Sequence, residues 1–170
     1  MVSRRNFLAL GASSLSLGLA GCTSSLPFGG PPEVREQSDD SIERKVPAPF
    51  SEPAKPFASL VVGEGSNQTH QVWVWNRTDG DREIGVRIGP EDGPWFEQSF
   101  DFVAEDALAI DLRPAREYEL GVQVEGREKE VTVEKSQFDC NESATDVLVK
   151  KTETTTQTIS TQMGCGGDFF

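Results

Sequence analysis

The stretch Leu-Arg-Pro-Ala-Arg-Glu-Tyr-Glu-Leu-Gly-Val-Gln-Val, from Leu112 to Val124, carries the clearest indication of the fold class. Its second half has apolar side chains at every second position: Tyr118, Leu120, Val122 and Val124. This alternation is typical of a β-strand with one buried face. Gly126 then makes a tight reversal into a further alternating segment, 130–134. The stretch therefore predicts a β-hairpin.

Similar segments lie on both sides of this hairpin, separated by clusters of Gly, Pro and Asp. They recur at intervals of roughly 8 to 12 residues, which is typical of sandwiches and barrels. With the hairpin strands included, the predicted strands are 60–62, 70–76, 83–88, 95–103, 107–112, 117–124, 130–134, 146–150 and 154–161. No segment has a convincing helical pattern, so we predict an all-β domain.

A local motif sharpens this prediction. Leu112, Pro114 and Tyr118 have the spacing Leu-x-Pro-x-x-x-Tyr, which resembles the corner before the sixth strand of fibronectin type III domains. The resemblance implies that the Tyr118 hydroxyl bonds to upstream backbone and fixes a Greek-key crossing. It also implies an immunoglobulin-like antiparallel β-sandwich of about seven to nine strands over residues 57–170. The alternative is an ordinary proline turn before a strand.

The N-terminus reads as an export signal. Arg4 and Arg5 resemble the twin-arginine motif, and Leu-Ala-Gly-Cys ending at Cys22 resembles a lipobox. The resemblance implies a signal peptide over residues 1–21, a lipid on Cys22, and a location on the extracellular face of the cell membrane. The apolar stretch 7–20 is short for a transmembrane helix, which needs about 20 apolar residues. The other alternative is a secreted protein in which Cys22 is an ordinary thiol.

Seven of the ten prolines lie between residues 23 and 56. Proline interrupts both helices and strand ladders, so we predict that residues 22–56 form a disordered tether. The alternative is a proline-rich ligand for another domain.

The composition is acidic, with 28 Asp and Glu against 16 Lys and Arg and a net charge of −12. Nucleic acid is excluded as a partner class because its phosphates would be repelled. The acids are dispersed, which favours a solvated surface suited to high salt over an acidic binding face. Export motifs together with such a surface resemble haloarchaeal surface lipoproteins.

The two remaining cysteines are Cys140 and Cys165. In an exported chain a disulfide between them is the default expectation. Metal binding by two thiolates is the alternative. It is disfavoured because His70 is the only histidine and no Cys-x-x-Cys motif occurs.

The sequence predicts no catalytic site, no metal site and no cofactor. A blue-copper site needs two histidines, and a Ser-His-Asp triad would depend on His70 with no recognisable nucleophile elbow. Calcium ligation by Asp79 and Asp81, or by Glu91 and Asp92, is possible in principle, but neither pair belongs to a complete calcium loop. Turn chemistry explains both pairs.

Two kinds of candidate site remain. Trp73 and Trp75 lie on the same face of their strand, either in the core or as a ligand platform. Sequons place possible glycosylation at three positions: Asn67, Asn76 and Asn141.

The leading functional hypothesis is a non-enzymatic surface lipoprotein whose module serves adhesion, envelope interaction or binding of an exported partner. The second hypothesis is a solute- or glycan-binding lipoprotein that uses an exposed tryptophan face. A fold of this kind hosts many functions, so the fold alone does not choose between them.

Overall fold

The computed structural model describes residues 30–37, 42–50, 55–65 and 68–162. The predicted signal segment with Arg4 and Arg5, the lipidation site Cys22, and Asn67 and Cys165 lie outside the described residues. In the described part of the chain, no helix is long and apolar enough to cross a bilayer.

The fold is all-β, as predicted. The strands are β1 (Val34–Gln37), β2 (Ala58–Val62), β3 (His70–Asn76), β4 (Arg82–Ile88), β5 (Phe96–Phe102), β6 (Ala107–Leu112), β7 (Tyr118–Val124), β8 (Arg127–Val133), β9 (Ser143–Val149) and β10 (Thr154–Ser160). A short 3-10 helix, Lys135–Gln137, lies between β8 and β9. The predicted final hairpin is confirmed, because β9 and β10 pair antiparallel.

The strands form a sandwich of two sheets. One sheet has the order β1-β2-β6-β3-β9-β10 and the other has the order β5-β4-β7-β8. The predicted antiparallel sandwich is confirmed, because most strand pairs are antiparallel. Two pairs are parallel: β2 with β6, and β3 with β9. The chain leaves β8 in the smaller sheet and enters the larger one beside β3. There β9 runs in the same direction as its neighbour.

Alternate side chains of both sheets fill the space between them. Examples from the larger sheet are Leu60, Val72, Val74 and Ile110, and examples from the smaller sheet are Ile84, Val86, Leu120 and Val122. Burial of one such side chain is worth about 1.5 to 3 kcal/mol. The alternation of apolar residues in the sequence therefore corresponds to the side chains that fill this core.

The predicted corner is present. The Tyr118 hydroxyl donates a hydrogen bond of 3.0 Å to the carbonyl oxygen of Pro114, and the Tyr118 ring is buried. This bond lies where the chain passes from β6 in one sheet to β7 in the other. It therefore fixes the crossing between the two layers.

The described part of the predicted tether is ordered, which corrects the expectation of a disordered segment over 22–56. The compact unit begins at Pro31 and not near Phe57. Val34–Gln37 pairs with β2 as an edge strand, and residues 42–50 lie across the larger sheet with Val46 buried. We call residues 42–50 the strap. Proline is tolerated there because an extended segment on a sheet face donates no ladder hydrogen bonds.

Candidate functional site

The strap covers the outer face of the six-stranded sheet. On β3, Val72 and Val74 point into the sandwich, so the alternate residues Trp73 and Trp75 point outward. The neighbouring outward positions hold small side chains: Ala107, Ala109 and Ala144. A shallow trough beside two indoles results, and the strap fills it.

Trp73 and Trp75 are each only 1% exposed, although they lie outside the inter-sheet core. Their rings stack with centroids 5.6 Å apart. Phe50 of the strap packs edge-on against Trp75 at 5.3 Å, and Val46 belongs to the same buried cluster. Of the two alternatives for these tryptophans, the exposed ligand platform is therefore contradicted, because the strap covers both rings.

An ion pair joins the strap to the sheet beneath it. The Arg44 guanidinium donates hydrogen bonds of 2.7 and 2.8 Å to the two carboxylate oxygens of Asp146. The side chains of Arg44 and Asp146 are 5% and 0% exposed. The Trp75 indole nitrogen donates a further bond of 2.8 Å to Asp146, and the guanidinium carbon lies 5.3 Å from the centroid of the Trp73 ring. Such bidentate geometry suits arginine and not lysine.

Gln71 binds the strap through its main chain. The Gln71 side-chain oxygen accepts a hydrogen bond of 3.1 Å from the Lys45 amide. Its side-chain nitrogen donates one of 2.8 Å to the Glu43 carbonyl. This pair of bonds imitates the pairing of a neighbouring strand. The strap is thus held as an extended peptide would be, with main-chain bonds for affinity and side-chain sites for selection.

The surroundings of His70 are those of a structural residue in the protein interior. The ring is fully buried, with Nδ1 2.7 Å from the Ser143 hydroxyl and Nε2 2.9 Å from the Thr145 hydroxyl. The Ser143 hydroxyl donates to the Gln137 carbonyl, so it accepts from Nδ1–H of His70 and is not activated as a nucleophile. Burial lowers the pKa of His70 to about 4.

The two predicted glycosylation sites among the described residues, Asn76 and Asn141, have different outcomes. Asn76 is fully buried, and its amide nitrogen donates bonds of 2.8 and 3.0 Å to the carbonyls of Gly80 and Val103. A glycan on that nitrogen is incompatible with the folded chain, so the prediction at Asn76 is wrong. The Asn141 amide nitrogen bonds to Asp139 in a bend beyond the 3-10 helix. Glycosylation there stays a prediction.

The predicted disulfide also stays a prediction. Cys140 is an exposed residue just before β9, and its predicted partner Cys165 lies outside the described residues. Nearby, the Thr161 amide donates a bond of 2.9 Å to the Glu142 carbonyl. The end of the described chain therefore returns to within two residues of Cys140.

Within the described residues, no three His, Cys, Asp or Glu side chains are grouped as a metal site. The candidate calcium residues Asp79 and Asp81 are exposed turn residues beside β4. Asp79 lies 3.7 Å from the Lys151 ammonium.

The outer face of the four-stranded sheet is strongly acidic. Its exposed acids are Glu83, Glu97, Asp101, Glu119, Glu128 and Glu130. One buried arginine, Arg87, lies among them and donates hydrogen bonds to Glu128, Glu130 and the Gly89 carbonyl. Gly121 provides the space for this arginine, because a Cβ there would lie 2.9 Å from its guanidinium.

Sequence reasoning missed the residues that hold the strap: Arg44, Gln71 and Asp146. One signal was available. Asp146 begins the run Asp-Val-Leu-Val, which lies inside a predicted strand. A charged side chain in a strand needs a partner if it points into the core or is covered by another segment. Nothing local to Arg44 distinguishes it from the other arginines.

We compared the sequence with protein-family models and with curated proteins, and neither comparison found a match.

Proposed function

We propose that this chain is a lipid-anchored, non-enzymatic lipoprotein on the outer face of the cell membrane, and that its β-sandwich binds an exported protein partner. The observation that carries the proposal is the way the larger sheet holds the strap. An extended arginine-bearing segment is bound by main-chain bonds at Gln71, a bidentate pair at Asp146 and aromatic contacts.

These contacts define the chemistry of the partner. The Gln71 amide contacts only backbone atoms of the strap, so it accepts any extended chain. Asp146 and the two indoles accept a planar cation. The partner segment therefore carries an arginine, with apolar residues following it at the Val46 and Phe50 positions. In the isolated chain, the strap occupies this face.

The proposed anchor is the lipid on Cys22, after export directed by Arg4 and Arg5. Pro31, where the compact unit begins, follows Cys22 by nine positions, and nine extended residues span at most about 30 Å. The proposed sandwich thus stays close to the membrane. Substitution Cys22→Ser is expected to release the protein into the medium, and membrane retention after a carbonate wash would contradict the anchor.

A glycan partner is less well supported than a protein partner. Sugar-binding platforms use exposed indoles, whereas Trp73 and Trp75 are covered. The strap contacts that replace solvent there are those of peptide recognition.

Photo-cross-linking on intact envelopes tests the proposal. A strap-released variant, Arg44→Glu with Phe50→Ala, carries a photoreactive residue at Gln157, which is exposed and lies opposite Asp146 in the β9–β10 pairing. We expect cross-links to an envelope protein that disappear when Asp146→Asn is added or when excess peptide of residues 42–50 competes. Cross-links that persist in both controls would contradict the proposal. The matched charge control is Arg35→Glu on β1, which leaves the strap in place.

A further inference from the structure

Within the described residues, each sheet of the sandwich ends in two strands that have a neighbour on one side only. These edge strands are β1 and β10 in the larger sheet, and β5 and β8 in the smaller sheet. The free side of an edge strand can pair with another chain, and charged side chains on the strand are one device that prevents such pairing. Three of the four edge strands carry charges: Arg35 and Glu36 on β1, Glu97 and Asp101 on β5, and Arg127, Glu128, Lys129 and Glu130 on β8.

The fourth edge strand, β10, has no charged residue over its whole length, Thr154–Ser160. It consists only of Thr, Gln, Ile and Ser, and its central residues Thr156, Gln157 and Thr158 are exposed. β-branched residues such as threonine and isoleucine favour strand pairing. In a chain with a net charge of −12, this uncharged edge is the one that is open to strand addition.

The hydrogen bonds of the β9–β10 hairpin show which main-chain groups of β10 face its free side. The Lys150 amide bonds to the Glu153 carbonyl, and the Thr161 amide bonds to the Glu142 carbonyl. Positions 153 and 161 therefore face β9, and the direction of the bonds alternates along an antiparallel pair. The main-chain groups that point away from β9 consequently belong to the even-numbered positions: Thr154, Thr156, Thr158 and Ser160.

A two-fold axis restricts which residues of two identical edge strands can meet. Alternate residues face the free side, so antiparallel pairing about the axis joins only positions an even number apart. On β8 the bases are at odd positions and the acids at even positions, so each charge can meet only a charge of its own sign. The charges of β5 are both acids, and on β1 the adjacent Arg35 and Glu36 cannot face each other. Like charges directly opposite destabilise strand pairing, which leaves β10 as the edge suited to a second copy.

We infer that two copies of this chain pair through β10, antiparallel and about a two-fold axis at Gln157. Threonine pairs across such a ladder contribute to its stability. A closed two-fold contact occupies the edge of both copies, so the assembly stops at a dimer. The register joins all seven residues of the strand: Thr154 with Ser160, Thr155 with Ile159, Thr156 with Thr158, and Gln157 with itself.

Pairing at β10 joins the larger sheets of the two copies into one. Opposite residues of an antiparallel pair point to the same side of a sheet, so both strap-covered faces lie on one side of the joined sheet. A partner that carries two arginine-bearing segments would then gain avidity. The inference does not require that binding, because it depends on the sheet edge and not on the sheet face.

Disulfide trapping at the two-fold axis tests the inference. The full chain with Cys22→Ser also receives Gln157→Cys and is oxidised under mild conditions. We expect a covalent dimer that reduction reverses, because the two introduced thiols lie opposite each other on the axis. The matched control is Ser99→Cys, at the exposed centre of the charged edge strand β5. It should stay monomeric, as should the parent chain without an introduced cysteine.

A charge exchange beside the axis distinguishes pairing in this register from random collision. In the Gln157→Cys chain, Thr156→Glu with Thr158→Glu places acids opposite acids, and trapping should fall by about fivefold or more. The corresponding pair of lysine substitutions should have the same effect. An equal mixture of the two variants places lysine opposite glutamate and should restore the dimer, which a folding defect could not do.

Several results would overturn the inference. These are the absence of a Gln157→Cys dimer, equal trapping of Ser99→Cys, and a mixture of the charge variants that does not regain the dimer. A disulfide from the introduced thiol to Cys165 of the same copy would show that the end of the chain covers this edge. On envelopes, an adduct with another protein in place of the dimer, distinguished by its mass, would assign the edge to that protein.

Discussion

Arg44 and Asp146 are 102 residues apart in the chain, yet they form a bidentate ion pair that is almost completely buried. A buried pair contributes little net stability compared with apolar packing, but removal of one partner costs about 3 to 5 kcal/mol when the other stays buried. In the proposed recognition, the pair therefore selects which segment lies over Trp73 and Trp75 more than it stabilises the fold. Loss of Arg44 should free the strap, because Asp146 then regains water.

The corner bond can be measured by one substitution. Tyr118→Phe removes the hydroxyl that bonds to Pro114 and keeps the ring in the core. We expect the free energy of unfolding to fall by about 0.5 to 1.5 kcal/mol. Chemical denaturation with an unchanged m-value provides the measurement. A variant as stable as the wild type would show that the corner hydroxyl does not hold the crossing.

His70 should make stability depend on pH. Burial depresses its folded-state pKa to about 4, against about 6.5 in the unfolded chain. Between these values the unfolded state binds the extra proton, so stability is lost as the pH falls through this window. From pH 7 to pH 5 the expected loss is about 2 kcal/mol.

The control for this prediction is His70→Gln, which retains hydrogen-bonding groups and does not titrate. The carboxylates are shared by both proteins, so their contribution cancels. If the wild type and the variant lose equal stability between pH 7 and pH 5, the lowered pKa of His70 is refuted.

The proposed Cys140–Cys165 disulfide has a favourable position. Thr161 pairs with Glu142, and Cys165 follows Thr161 by only four residues, a reach of about 13 Å. In the loop-entropy description such a bond stabilises by about 3 to 4 kcal/mol. Alkylation of the native protein before reduction should label neither thiol, and Cys165→Ser should expose Cys140 to labelling. Labelling of both cysteines in the unreduced native protein would exclude the bond.

The acidic surface predicts a dependence on salt. The acids of the four-stranded sheet lie close together on its outer face, and their mutual repulsion is screened by ions within about 10 Å at 0.1 M salt and about 3 Å at 1 M. We expect the unfolding midpoint to rise from dilute to molar potassium chloride. Equal midpoints in both would show that the charge is not an adaptation to salt.

The sequence predicted those parts of the fold that depend on local patterns. Alternation located most strands of the sandwich because they contribute alternate side chains to the core between the sheets, as Val72 and Val74 show. The Leu112–Tyr118 spacing located the corner because its hydrogen bond, from the Tyr118 hydroxyl to the Pro114 carbonyl, joins residues only four positions apart. Parallel pairing of β9 with β3 could not be predicted, since strand order depends on contacts far apart in the chain.

The site was predicted only in part for the same reason. The alternation of β3 placed Trp73 and Trp75 on one face but could not say which face is covered. The strap was interpreted as a tether from its prolines, and its burial depends on Gln71 and Asp146, which are remote in sequence. The composition of a segment predicts only how that segment behaves in isolation. The strap, in contrast, is ordered by its contacts with the sheet.

The most direct test of the proposed recognition is the affinity of the nine-residue peptide Ile42–Phe50 for the strap-released variant, measured by titration calorimetry. We predict saturable one-to-one binding, at least tenfold weaker when the peptide carries lysine at the Arg44 position, because lysine cannot form the bidentate pair. The same weakening should follow from Asp146→Asn in the protein. No saturable binding, or equal affinity for the arginine and lysine peptides, would contradict the proposal that this sheet face recognises an arginine-bearing segment.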